Sequence, residues 1–175
     1  MLSRTLLALA VAALIGGCRG DEPASSQASQ ATRLYTHQGL GVSFELPRAW
    51  EERLEGDALV FSGKTGNPDH FTTVTVQIVP RRDTGLLEAL DAAVAPVVNY
   101  PGFAWQHREP VIIAGRPAVR YGFRVELHES QRMKHGLLVD TGRHFIDLAY
   151  AAPREIFASG IPVFEHLITT LQVTN

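Results

Sequence analysis

The side chains able to do chemistry are few in this chain, and their spacing decides what each could do. There are seven histidines, 18 carboxylates and a single thiol among 175 residues. A hydrolytic metal centre needs clustered His and carboxylates, and no H-E-x-x-H helix pattern occurs. Asp69-His70 is a loop pair. His128-Glu129 ends a strand, where neighbours point to opposite faces, and His144 and Asp147 likewise face opposite ways. The histidines are therefore expected to be exposed and to titrate near their ordinary value, about 6.5. The nucleophile elbow G-x-S-x-G is missing, so a serine hydrolase has no nucleophile in its usual context. Phe61-Ser62-Gly63-Lys64-Thr65-Gly66 resembles the end of a phosphate loop, but Ala58 stands where the motif needs its first glycine. The following Asn67-Pro68-Asp69 cannot open the helix that would hold a phosphate. No catalytic residue, metal ligand or cofactor is expected, and the chain is read as a non-enzyme.

What remains is a candidate partner surface. Arg120, Arg124, Glu126 and His128 alternate along one strand, and Arg132, Lys134 and Arg143 follow in the adjoining hairpin. Arginine suits interfaces because its planar fork pairs with carboxylates and stacks on aromatic rings. A charged stripe is also how a solvated sheet face or an edge strand protects itself, and that plainer reading stands beside it.

The thiol has a different role. Arg4 is followed by ten apolar residues, Leu6–Ile15, then Gly16, Gly17 and Cys18. A positive start, a short apolar run and small residues before a cut make a secretion signal. The run is too short to span a bilayer, which takes about 20 apolar residues. Ile15-Gly16-Gly17-Cys18 resembles the bacterial lipobox. That resemblance implies cleavage after residue 17 and acyl chains on Cys18, whose several chains together hold a membrane stably. With no other cysteine, no intrachain disulfide can form. Arg19 stands where aspartate would signal inner-membrane retention, so outer-membrane anchoring facing the periplasm is expected in a diderm host. Residues 18–33 carry no aromatic residue and no large aliphatic one after the cysteine. They read as a flexible tether reaching roughly 20 Å.

Residues 34–175 form one domain by length. With 16 Lys and Arg against 18 Asp and Glu, nothing favours nucleic acid. The domain is expected to be monomeric. Alternation predicts strands at Leu34–Thr36, Val42–Leu46, Trp50–Leu54, Ala58–Ser62 and Phe71–Pro80, the last with Val74, Val76 and Ile78 inward. Leu86, Leu87, Leu90, Ala93 and Val94 follow helical spacing after a cap at Asp83 or Thr84, and Pro96 and Pro101 stop that helix. Strands resume at Trp105–Ala114 and Ala118–His128 around Gly115-Arg116-Pro117, then at Met133–Asp140 and His144–Ala151. Val119, Tyr121, Phe123, Val125 and Leu127 share one face of the second of these. A closing helix is predicted over Ile161–Leu171, capped by Ser159. Tight turns between consecutive strands imply antiparallel pairing. The fold class is α+β, a twisted antiparallel β-sheet with helices packed on it.

Gly41-Val42-Ser43-Phe44-Glu45-Leu46-Pro47-Arg48-Ala49-Trp50 is similar to the opening of PsbP-like domains, a group that includes DcrB-type bacterial lipoproteins. Ile112-Ile113-Ala114-Gly115-Arg116-Pro117-Ala118 resembles the same group's turn before a long strand. The resemblance spans residues 34–175. It implies an α/β/α sandwich and a non-catalytic role exercised by docking onto other proteins. Phe44, Pro47 and Trp50 themselves read as a packed core corner. The expected function is thus that of a lipid-anchored envelope protein binding another envelope protein as an assembly or stability factor. An immunity or inhibitor lipoprotein and a small-ligand carrier are the alternatives.

Overall fold

A computed structural model describes residues 31–127 and 130–174. Cys18, the apolar leader and nearly all of the tether lie outside the described residues, as does His128. The first five strands are β1 (Thr32–His37), β2 (Val42–Pro47), β3 (Glu51–Glu55), β4 (Ala58–Ser62) and β5 (Thr73–Val79). Helix α1 (Leu86–Val98) leads to β6 (Ala104–Ile113), β7 (Arg116–Leu127), β8 (Ser130–Asp140) and β9 (Phe145–Pro153). Helix α2 (Arg154–Thr170) and the short β10 (Gln172–Val173) close the chain. A short 3-10 turn, Pro68–Phe71, and no α-helix follows the lysine-bearing loop.

Seven strands make one antiparallel sheet in the order β3-β4-β5-β9-β8-β7-β6, and β1, β2 and β10 make a second. Alternation builds both faces of the large sheet. Toward α2 and the small sheet point Phe61, Val74, Val76, Leu137, Leu148 and Tyr150, packed on Phe44, Phe164 and Leu167. Toward α1 point Val119, Tyr121, Phe123, Val125 and Leu138, packed on Ala89, Leu90 and Val94. The layers are α/β/α, with the small sheet extending the α2 layer. Phe44 and Trp50 are core residues, and the Phe44 ring meets Phe61 edge-on at 5.9 Å.

Several boundaries differ from expectation. The β6–β7 turn is Ala114-Gly115, both with positive φ, and Arg116 and Pro117 already pair within the hairpin. Helix α1 has Gly85 as its N-cap, with no side-chain cap, and carries Pro96 in its last turn. Helix α2 begins two turns earlier than its apolar stripe predicts. Gly160 and Pro162 look like helix breakers, yet Gly160 is where the Tyr150 ring presses on the helix and a Cβ would collide with it. A proline costs a helix one hydrogen bond and a clash one turn back, and here burial of Phe157, Phe164 and Leu167 outweighs that cost.

Candidate functional site

Register decides where the charged stripe goes. In the β7–β8 hairpin Leu127 faces Ser130, so Arg124 lies opposite Met133, Phe123 opposite Lys134 and Val125 opposite Arg132. Directly opposed residues share a sheet face. Arg120, Arg124 and Glu126 therefore lie on the α2 face, and Arg132 and Lys134 on the α1 face. Arg143 is exposed in the β8–β9 turn, past the far end of β8. From Arg132 the strand must run its length to reach it, roughly 25 Å. The expected single surface is corrected to separate groups of charge. Arg120 is also committed structurally, since its Nη2 lies 2.7 Å from Glu165 of α2 and ties the helix to the sheet.

On the α1 face a cleft of about 180 Å³ opens between α1 and strands β7 and β8. Val94 and Val97 of the helix form one wall. Phe123, Val125 and Leu127 form the other, and Arg132, Lys134 and Ala151 line the floor. The Lys134 ammonium stands 5.9 Å from the ring centres of both Tyr121 and Phe123, a cation–π placement. It also lies 3.6 Å from Oδ2 of Asp147. Asp147 is 2% exposed. Its Oδ1 accepts the Tyr121 hydroxyl at 2.6 Å and its Oδ2 accepts the Gln77 amide at 3.1 Å. Burial, and then the neighbouring carboxylate, push the Tyr121 hydroxyl well above its ordinary pKa, so it stays a donor. Gly136 makes this possible, because a side chain there would occupy the space of the Tyr121 ring. Arg132 donates from Nη2 to the carbonyl of Phe71 at 3.2 Å, and burial lowers its pKa. It forms no ion pair with a carboxylate among the described residues. The Phe71 ring is 59% exposed.

On the opposite face, His107 and His135 meet edge-to-face at 4.8 Å above Gly122, where a Cβ would strike both rings. His135 also meets Phe157 of α2 at 4.8 Å. The expectation that the histidines are exposed fails here. Burial first, and then His107, pull His135 down to about 4, with Glu165 opposing and Arg120 adding to the effect. His144 also has a buried Nε2 without a partner among the described residues. Because the folded-state pKa of His135 lies below its unfolded value, the unfolded chain binds more protons between about pH 6.5 and 4. Stability present above 6.5 is lost as the pH falls through that window. Discounting for partial exposure of the ring, the loss is on the order of 2 kcal/mol. In urea titrations His135→Gln should remove most of this slope, and an unchanged slope would locate the acid sensitivity elsewhere.

Among the described residues no group of three or more His, Cys, Asp or Glu is placed to hold a metal ion. No described helix is long and apolar enough to cross a membrane. Sequence reasoning missed Asp147 as a site residue. Its signal was a carboxylate inside the otherwise apolar Phe145-Ile146-Asp147-Leu148-Ala149-Tyr150.

An antiparallel sheet clamped between α1 on one face and α2 with a small sheet on the other defines a PsbP-like α+β domain. No protein-family model and no curated protein matches the chain. Solved structures do match. Cyanobacterial PsbP from Synechocystis superposes with a TM-score of 0.64 at 13% identity, covering 91% of this chain and 98% of its own. LpqN, described as involved in cell envelope biogenesis in Mycobacterium tuberculosis, gives 0.57 at 16% identity, covering 83% and 91%. A Pseudomonas aeruginosa protein of unknown function, described as a putative regulator, gives 0.57 at 14%, covering 79% and 94%. At these identities the likeness is one of fold.

Proposed function

We propose that this is a lipid-anchored envelope protein whose PsbP-like domain is non-catalytic and docks onto another envelope protein, serving its assembly or stability. The observation that carries this reading is the cleft beside α1, where apolar walls meet two cations and one of them, Arg132, has no carboxylate partner among the described residues. Arg beside aromatic and aliphatic side chains is the composition of an interface centre. Small-molecule pockets usually run from about 300 Å³ upward. At about 180 Å³ the cleft fits an inserted side chain better than a carried ligand. The lipobox-like Ile15-Gly16-Gly17-Cys18 supports anchoring, and the description of LpqN supports an envelope setting.

The test is chemical cross-linking of the full-length protein in native membranes, followed by mass spectrometry of what co-purifies. One dominant protein partner is expected. Cys18→Ala should abolish acyl labelling, leave an uncleaved precursor and reduce that partner's yield. Normal processing of the variant would refute lipidation, and the absence of any specific partner would refute docking.

A further inference from the structure

We propose that the partner inserts an apolar side chain between α1 and β7, and that an acidic residue adjacent to it in the partner binds Arg132 and Lys134. This rests on the docking reading above and names the chemistry of its occupant. The walls supplied by Val94, Val97, Phe123 and Val125 reward an apolar group, because each removes water from apolar surface on contact. The floor sets the charge. It holds two cations, while among the described residues none of those lining the cleft is acidic. Asp147 lies beneath Lys134 and divides its oxygens between that ammonium, the Tyr121 hydroxyl and the Gln77 amide. Arg132 spends one donor on the Phe71 carbonyl, and a guanidinium has five. A partly buried guanidinium with donors to spare is matched best by a carboxylate, which it can grip through two parallel hydrogen bonds.

Register fixes the spacing of the two groups in the partner. Lys134 lies opposite Phe123 and Arg132 opposite Val125. Each cation is therefore a cross-strand neighbour of an apolar wall residue, about 5 Å away at the Cβ atoms. Acid and apolar group in the partner must be equally close, which places them within one or two residues of each other in an extended segment. Phe71, whose carbonyl accepts from Arg132, carries an exposed ring and so offers a site for a probe one residue from that cation.

The experiment replaces Phe71 with photoreactive p-benzoylphenylalanine, a conservative exchange at an exposed aromatic, in the full-length protein in native membranes. The same group at Leu54, 71% exposed on the edge strand β3, is the control. Irradiation should give a protein adduct from position 71 whose cross-linked peptide carries Asp or Glu within two residues of a large apolar residue. Arg132→Glu should lower its yield at least about tenfold, as expected when a buried charge pair is reversed. Arg132→Gln should lower it less, and circular dichroism checks that both variants fold. An adduct peptide without an acid, an adduct to lipid only, no adduct at 71, or a yield indifferent to Arg132→Glu each overturns the assignment. An adduct from Leu54 alone would also overturn it, while leaving docking intact through another face. If neither position captures protein and chemical cross-linking finds no partner, docking itself falls.

Discussion

Val76→Asp leaves the chain unfolded at 25 °C and neutral pH. Val76 is 0% exposed on β5, an inner strand of the large sheet, opposite Leu59 on one side and Leu148 on the other. Its side chain belongs to the cluster that joins the sheet to α2 and the small sheet. The substitution removes about 1.5–3 kcal/mol of apolar burial. It also strands a carboxylate with no cation in that cluster, at a further several kcal/mol per ion even after relaxation. Domains of this size are stable by about 5–15 kcal/mol in total, and this one has no intrachain disulfide to fall back on. Near-ultraviolet circular dichroism should be lost and no cooperative thermal transition should remain. A melting curve within a few degrees of the parent would show that Val76 does not face the core.

The expectation behind that prediction came from the sequence, because β5 alternates and period two has only two phases; it holds for Val74 and Val76 and fails at the end of the strand, where Ile78, expected inward, is 45% exposed. Hairpins were legible for the same local reason: Glu55-Gly56-Asp57 and Thr141-Gly142 announce turns, and the chain on either side alternates. Sheet order was not legible. β9 lies between β5 and β8, so β5 pairs with a strand some seventy residues downstream, and no local pattern encodes that choice. The stripe on β7 held for Arg120, Arg124 and Glu126, but its extension into one surface with Arg132 and Lys134 failed on parity. Across a hairpin in which residue 127 faces 130, partners sum to an odd number, so even positions on β7 and even positions on β8 point to opposite faces. Arg124 and Lys134 look alike in the sequence and are separated by the thickness of the sheet. The start of α2 was hidden by Gly160 and Pro162, whose local preference is overruled by the aromatic side chains that the helix buries. The cleft was half visible. Arg132 and Lys134 were picked out for their charge and Phe123 for its strand face. What joins them is Tyr121 reaching across Gly136 to Asp147, a contact between residues 26 apart in the chain.

That contact should account for a large share of the stability of the α1 face. Asp147→Ala is expected to cost about 3–5 kcal/mol, the range for removing one partner of a buried charged pair. The loss leaves the Tyr121 hydroxyl buried without an acceptor, deprives the Gln77 amide of its partner and separates Lys134 from its nearest carboxylate. Tyr121→Phe removes only the donor and should cost roughly 1.5–3 kcal/mol, the worth of a hydrogen bond to a charged group. The two changes should not add. Once Asp147 is gone, deleting the hydroxyl relieves a group with nothing to bind, so the double variant should be at least about 1 kcal/mol more stable than the sum predicts. Urea denaturation of the four proteins measures this directly. Because Lys134 stands over both the Tyr121 ring and the carboxylate, losing Asp147 also frees its ammonium toward the cleft. Asp147→Asn, which keeps the shape and removes the charge, should then hold an acidic partner more tightly at equal folding, as the ammonium no longer divides its attraction. Additive stabilities would mean that the Tyr121 hydroxyl and Asp147 are not coupled, and the floor of the cleft would then lack the rigidity that its two cations require.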